Sequence, residues 1–287
     1  MHYFRLLGMI ALALTITMQS ASSALLNTFT TVGPDPASIQ GTVDTFRNAL
    51  GGLNAPDPVN NPDGRREINW DTAPDAVADP NQLPGDFFNQ NFFPRARGLE
   101  LTPVGGGITG FGISSDPGDS GAGQPAPPLF TLAGFGFQPF SANRIFAVFG
   151  TNQFDITFHN PAFPGQAAVV DGFGAVFVDV DDPGSKMEFF DIADTLLATV
   201  DVPDLRLVTS DGSLSFAGAT FDTPEVARVR MTVGTSGLDS CGSTTDCVAM
   251  DDFIFGEPRP VPLPGSLAAM TGAFVLAGAW AAMRRKH

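Results

Sequence analysis

Three short acidic runs hold the side chains with the widest chemical reach in this 287-residue chain. In "VAMDDFIFGEP", strand alternation puts Asp251 on the face of Ala249, Phe253 and Phe255, and Asp252 on that of Met250 and Ile254. One of the two carboxylates must therefore face a core, where an unpaired charge is costly. It needs an arginine, a hydrogen-bond network or a cation. Arg228 and Arg230 are the candidate partners on a neighbouring strand, and calcium is the other candidate. In "VFVDVDDPGS", Asp179 and Asp181 share one face at a strand end, which suits either a calcium ion or a hairpin turn with solvated acids. An EF-hand is excluded there: Pro183 takes the third ligand position, and Phe190 stands where a bidentate Glu is required.

The third run is "GRREINWD". Arg65, Glu67, Asn69 and Asp71 alternate with Arg66, Ile68 and Trp70. A sugar could lie against Trp70 with its hydroxyls on Glu67, Asn69 and Asp71. The other reading is a strand pinned by salt bridges with Trp70 buried. Glu67 with Asp71 could also form the carboxylate pair of a glycoside hydrolase or lyase, which needs two carboxyls about 5–10 Å apart in an open groove. Such grooves are lined by exposed aromatics, and the chain has two Trp and one Tyr. A non-catalytic protein is the expectation.

Composition narrows the chemistry further. Between residues 25 and 264 there is a single histidine, His159, so a His-based zinc site or a Ser-His-Asp triad has little to draw on. No G-x-S-x-G, H-E-x-x-H or P-loop is present. The formal net charge of −15 opposes nucleic acid and anionic lipid and favours divalent cations. Cys241 and Cys247 flank a five-residue loop, and in an exported chain so close a pair reads as a disulfide.

The elements that must position these groups are mostly strands. In "EVARVRMTVG", Ala227, Val229, Met231 and Val233 alternate with Arg228, Arg230 and Thr232, and "QFDITFHN" repeats the pattern with Phe154, Ile156 and Phe158 inside. "RIFAVFG", "GFGAVFVDV", "KMEFFDI", "TLLATVDV", "SLSFAGATF" and "CVAMDDFIFG" continue the series, with "NPAFPG", "DDPGS" and "SDGS" as turns. The expected fold is an all-β, jelly-roll-like β-sandwich over residues 99–257. Residues 25–98 are expected to pack against it as a helix and an extended segment. In that helix Asp35 is the N-cap, Pro36 the first residue and Gly51 the terminator, with Ile39, Val43, Phe46 and Leu50 on one face. The Gly/Pro-rich run that begins at Val104 reads as a loop region.

The two ends carry addressing signals. Arg5, the apolar run Leu6 to Met18 and Ser22-Ser23-Ala24 have the layout of a cleavable signal peptide, residues 1–24. At the other end, residues 258–287 hold a Val261-Pro262-Leu263-Pro264 element, an uncharged Ala/Gly-rich stretch long enough to span a bilayer as a helix, and Arg284, Arg285 and Lys286. This order and spacing resembles the PEP-CTERM sorting signal in its VPLP variant, although Gly265 and Ser266 stand where the variant usually has Ala or another small residue. The resemblance implies export across the inner membrane of a Gram-negative bacterium and removal of the leader by signal peptidase. An exosortase-type protease then cleaves the tail, in a setting of exopolysaccharide or biofilm matrix. Until that cleavage the tail anchors the protein in the inner membrane; afterwards it belongs to the cell surface or the extracellular space.

The body also resembles a family of exported bacterial jelly-roll proteins, through "GRREINWD", "LPGDFFN", "GFGAVFVDVD", "VARVRMTVG" and "VAMDDFIFGEP", with Thr72 standing where that pattern has Gly. "DDFIFG" is similar to the last strand of MAM-type and carbohydrate-binding jelly rolls. That likeness implies a structural cation, calcium, near Asp251 and Asp252.

Overall fold

The computed structural model describes residues 25–105, 110–115, 136–206 and 212–261. The expected leader, together with Pro262, Leu263, Pro264, Arg284 and Arg285 of the tail, lies outside the described residues. Helix α1 (Pro36–Leu50) follows strand β1 (Leu25–Gly33). Then come β2 (Arg65–Ile68), β3 (Leu99–Pro103), β4 (Gly110–Ile113), β5 (Phe146–Phe149), β6 (Gln153–Asn160), β7 (Phe163–Val169) and β8 (Gly172–Val178). The series closes with β9 (Lys186–Phe190), β10 (Leu196–Asp201), β11 (Leu214–Phe221), β12 (Arg228–Thr232), β13 (Ala249–Gly256) and β14 (Arg259–Pro260).

Two antiparallel sheets result. The first runs β1-β11-β8-β13-β5-β4, with β2 also on β13; the second runs β10-β9-β12-β6-β7-β14, with β3 also on β6. Phe146, Phe154, Phe158, Phe173, Phe189 and Phe253 fill the space between them, all fully buried. The chain is thus a β-sandwich, as the alternation of its strands implied.

The second sheet keeps one wet face, and β6 alternates half-buried and buried residues along its length. The first sheet has none to spare, because every residue of β8, β11 and β13 is buried. Helix α1 is the reason. Asp35 accepts the Ser38 N–H at 2.9 Å, and Ser38 Oγ returns to the Asp35 N–H at 3.3 Å, so both ends of the first turn are satisfied. Gly51 ends the helix at φ 95°, a left-handed position that favours glycine. Its buried stripe of Ile39, Val43, Phe46 and Leu50 lies on the outer face of the first sheet, where Phe46 meets Phe29 and Phe216 at 5.3 Å each. Gly174 and Gly218, partners in the β8–β11 register, make the seat for that ring. A Cβ on Gly174 would come within 2.9 Å of Phe46.

Three expectations change. Residues 25–98 do more than pack against the sandwich, since β1 forms an edge of the first sheet and β2 pairs with β13 inside it. Strand β4 lies within the Gly/Pro-rich stretch read as loop, and β7 begins inside the turn read at "NPAFPG". In both places cross-strand hydrogen bonding outweighs glycine's weak strand preference.

Cys241 and Cys247 form a disulfide with their Cα atoms 5.8 Å apart. Val261, the first residue of the Val-Pro-Leu-Pro element, donates its N–H to Ala167 O at 3.0 Å and so still belongs to the sandwich. Among the described residues no helix is long and apolar enough to cross a membrane.

Candidate functional site

Strand β13 carries the densest group of functional side chains. Its register against β8 slips between Met250, opposite Phe177, and Phe253, opposite Ala175, so Asp251 and Asp252 together face one residue. This bulge breaks the strict alternation expected from the sequence. Instead of pointing to opposite faces, both carboxylates reach Ser141, whose Oγ lies 3.2 Å from Asp251 Oδ1 and 2.8 Å from Asp252 Oδ1. Asp251 Oδ2 accepts the backbone N–H groups of Phe140 at 2.7 Å and Ser141 at 3.0 Å.

The arginine that meets this pair comes from α1. Arg47 Nη2 sits 2.8 Å from Asp252 Oδ2 and 2.9 Å from Glu67 Oε2, and Arg65 Nε reaches Glu67 Oε1 at 2.6 Å. Arg228 and Arg230, the partners expected from sequence, lie on β12 in the opposite sheet and hold Asp155 at 3.2 and 2.8 Å. They face solvent, away from β13.

The electrostatics follow from this packing. Burial, then repulsion from Asp252, pushes the Asp251 carboxyl well above the usual range, against the pull of the Ser141 and Phe140 N–H groups. Burial also raises Asp252, with Ser141 and Arg47 opposing it. Burial on its own would lower Arg47, but Glu67, Asp252 and Asp44 outweigh it and hold the guanidinium charged. A serine hydroxyl has one proton to donate. Ser141 Oγ faces both carboxylates, so its single proton serves one of them at a time.

Of the "GRREINWD" residues, Glu67 joins this network, while Asn69 is exposed. Asp71 accepts the Arg144 N–H at 3.0 Å. Trp70 is buried to 1% exposure, stacked 4.6 Å from Phe146 and met edge-on by Phe88 and Phe253, with its Nε1–H donating to Asp251 O at 3.2 Å. Its ring is part of the core and offers no face to a sugar. Arg66, on the same side, forms a fully buried two-point pair with Glu257 at 2.8 Å.

The other acidic pair lies elsewhere. Asp179 follows the end of β8 at φ 68°, so alternation fails there, and its Oδ1 accepts the Gly212 N–H at 2.8 Å. Asp181 and Asp182 instead direct their N–H groups to Asp246, at 3.2 and 3.4 Å, on the rim of an open cleft of about 580 Å³. Burial, only partly offset by those N–H groups, raises Asp246 to about 6. Among the described residues no three acid, His or Cys side chains converge as a metal-ligand set.

Sequence reasoning missed Arg47, Ser141, Glu257 and Asp246. Arg47 had a signal: it lies one turn after Val43 and beside Phe46, at the margin of the helix's buried stripe. Ser141 had none, because its role depends on a bulge. No protein-family model matches the chain, and no curated protein matches it.

Proposed function

We propose that this chain is an exported, non-catalytic protein of the cell surface or extracellular matrix of a Gram-negative bacterium, delivered with a cleavable leader and processed at its Val261-Pro262-Leu263-Pro264 tail by an exosortase-type protease. The observation that carries the non-catalytic reading is the state of its gathered carboxylates. Asp251, Asp252 and Glu67 have their oxygens committed to Ser141, backbone N–H groups, Arg47 and Arg65. A hydrolase needs such groups open to substrate. The disulfide suits an oxidising compartment. The jelly-roll reading of the body is supported by the strand orders β5-β13-β8-β11 and β6-β12-β9-β10 and by the repeated crossings between the two sheets from β8 to β13.

The tail supports the destination. Val261, the first residue of the recognition element, still pairs with the sheet edge through its N–H to Ala167 O. The test is fractionation of cells expressing the full chain and a variant lacking residues 265–287. The full chain is expected at the surface or in the medium and the variant in the periplasm. Identical distribution of the two contradicts the reading.

Calcium as a structural ion is proposed from the acidity of the chain and the Asp179–Asp181 run alone, since no three ligands converge among the described residues, and polysaccharide is proposed as the matrix partner. Melting in calcium and in EDTA checks the first: a rise of several degrees with calcium supports it, and superposable curves contradict it.

A further inference from the structure

Arg47, Arg65, Arg66, Arg144, Arg206, Arg228 and Arg230 each touch a carboxylate. In a chain with 30 acids against 15 bases, that is the expected fate of an arginine. Arg95 and Arg97 are among the exceptions: neither makes an ion pair with a described residue, and both line the same cleft of about 240 Å³. Ala73, Pro74, Phe87 and Phe88 give that cleft apolar walls.

Both guanidiniums are held in place with donors to spare. Arg95 Cζ sits over Phe87, 4.0 Å from the ring centre, and lies 5.7 Å from the centre of the Phe92 ring. A stacked guanidinium keeps its N–H edge free for a planar anion. Arg97 is fixed over Phe88 at 5.5 Å and donates to Glu67 O and, from Nε, to Pro94 O at 3.3 Å. Burial and the nearby Arg66 lower Arg97 to about 10 against the pull of Glu67, so it is still charged at neutral pH, with no carboxylate of a described residue in ion-pair contact with it. A cation withdrawn from water and left unpaired is costly, and an incoming anion relieves that cost.

We propose that this cleft binds a carboxylate carried on a compact ring, namely a uronate unit of a polysaccharide. The carboxylate bridges the Arg95 and Arg97 edges, and the ring's C–H face lies on the apolar wall. Phe92 and Phe93, 47% and 68% exposed on the adjoining loop, supply the open aromatic surface for the next sugar. This supplies the aromatic platform that buried Trp70 does not. The overall acidity of the chain opposes long polyanions, so a short uronate oligomer is the preferred probe.

The inference rests on the matrix reading only for the source of the sugar. Its test is titration of the purified protein with trigalacturonate, with maltotriose as the neutral control and inorganic phosphate as the generic anion. Trigalacturonate is expected to bind, maltotriose and phosphate to bind at least ~10-fold more weakly, and Arg95→Gln to lose at least ~10-fold in affinity with an unchanged melting temperature. Arg97→Lys, which keeps the charge but not the planar fork, is expected to fall between. Equal binding of the three ligands, no binding of trigalacturonate, or full affinity in a folded Arg95→Gln protein overturns the proposal. None of these results bears on whether the tail is processed, so the two readings fail separately.

Discussion

The two sheets use the same ionic vocabulary in opposite settings. On the outer face of the second sheet, Arg228 and Arg230 share Asp155, Arg228 lies over Phe190 at 3.8 Å, and Lys186 reaches Glu188 at 3.3 Å, all within reach of water. On the outer face of the first, Arg47, Glu67, Asp252 and Asp251 form a comparable group beneath α1. The residue types are alike; the covering layer differs. Arg47 and Glu67 are no more covered than Arg228 and Asp155, but Asp252 and Asp251 behind them are buried. Removing Arg47 leaves the buried Asp252 with Ser141 alone, whereas the pairs of the second sheet are screened by water.

That contrast is sharpest in a pair of substitutions. Arg47→Ala leaves Asp252 and Glu67 facing each other under the helix and is expected to destabilise by about 3–5 kcal/mol in urea unfolding at neutral pH. Arg230→Ala, on the wet sheet, is expected to cost at most about 1 kcal/mol, the smallest effect of the set. Equal costs would dissolve the distinction between the two faces.

Between those limits lie the raised carboxyls. Asp246, Asp251 and Asp252 bind protons more tightly in the folded protein than in the unfolded chain, where an Asp carboxyl titrates near pH ~3.9. The folded state therefore holds more protons, and the stability they contribute is complete below about pH 4 and declines as pH rises. For Asp246, raised to about 6, the loss falls mainly between about pH 4 and 6. Asp246→Asn is expected to remove that part of the slope, on the order of 2 kcal/mol, in melting curves collected across pH. Asp251→Asn makes a more selective comparison. Its amide can donate to Ser141 as a protonated carboxyl would, so it is expected to match or exceed the wild type at pH 7 and to flatten the decline of stability with rising pH. A large loss at pH 7 would show that Asp251 is ionised. Replacing Cys241 and Cys247 by serine is expected to cost about 2 kcal/mol, given the short loop they close.

Legibility in the sequence followed the same divide. The wet sheet could be read directly, because β6 and β12 alternate as their exposure does. The helix was also plain, since its cap, first proline and terminating glycine are local signals. The covered sheet was not. With both faces of β8, β11 and β13 buried, alternation carries no information about sides, and the bulge at Asp251 and Asp252 has no signature in one strand alone. Arg47 and Asp252 are 205 residues apart, and Arg66 and Glu257 are 191 apart, so only the fold reveals those partners. Trp70 shows the limit most clearly. Its neighbours left open both a sugar platform and a buried side chain in a strand pinned by salt bridges, and the fold places it in the core against Phe146.

The central claim is that this sandwich is delivered outside the inner membrane and separated there from its tail. The most direct measurement is the intact mass of the protein isolated from cells that make it naturally. Loss of the first 24 residues together with everything after about Pro264 is the predicted result. A protein recovered from the inner membrane with residues 265–287 still attached would contradict it, making the tail a permanent anchor.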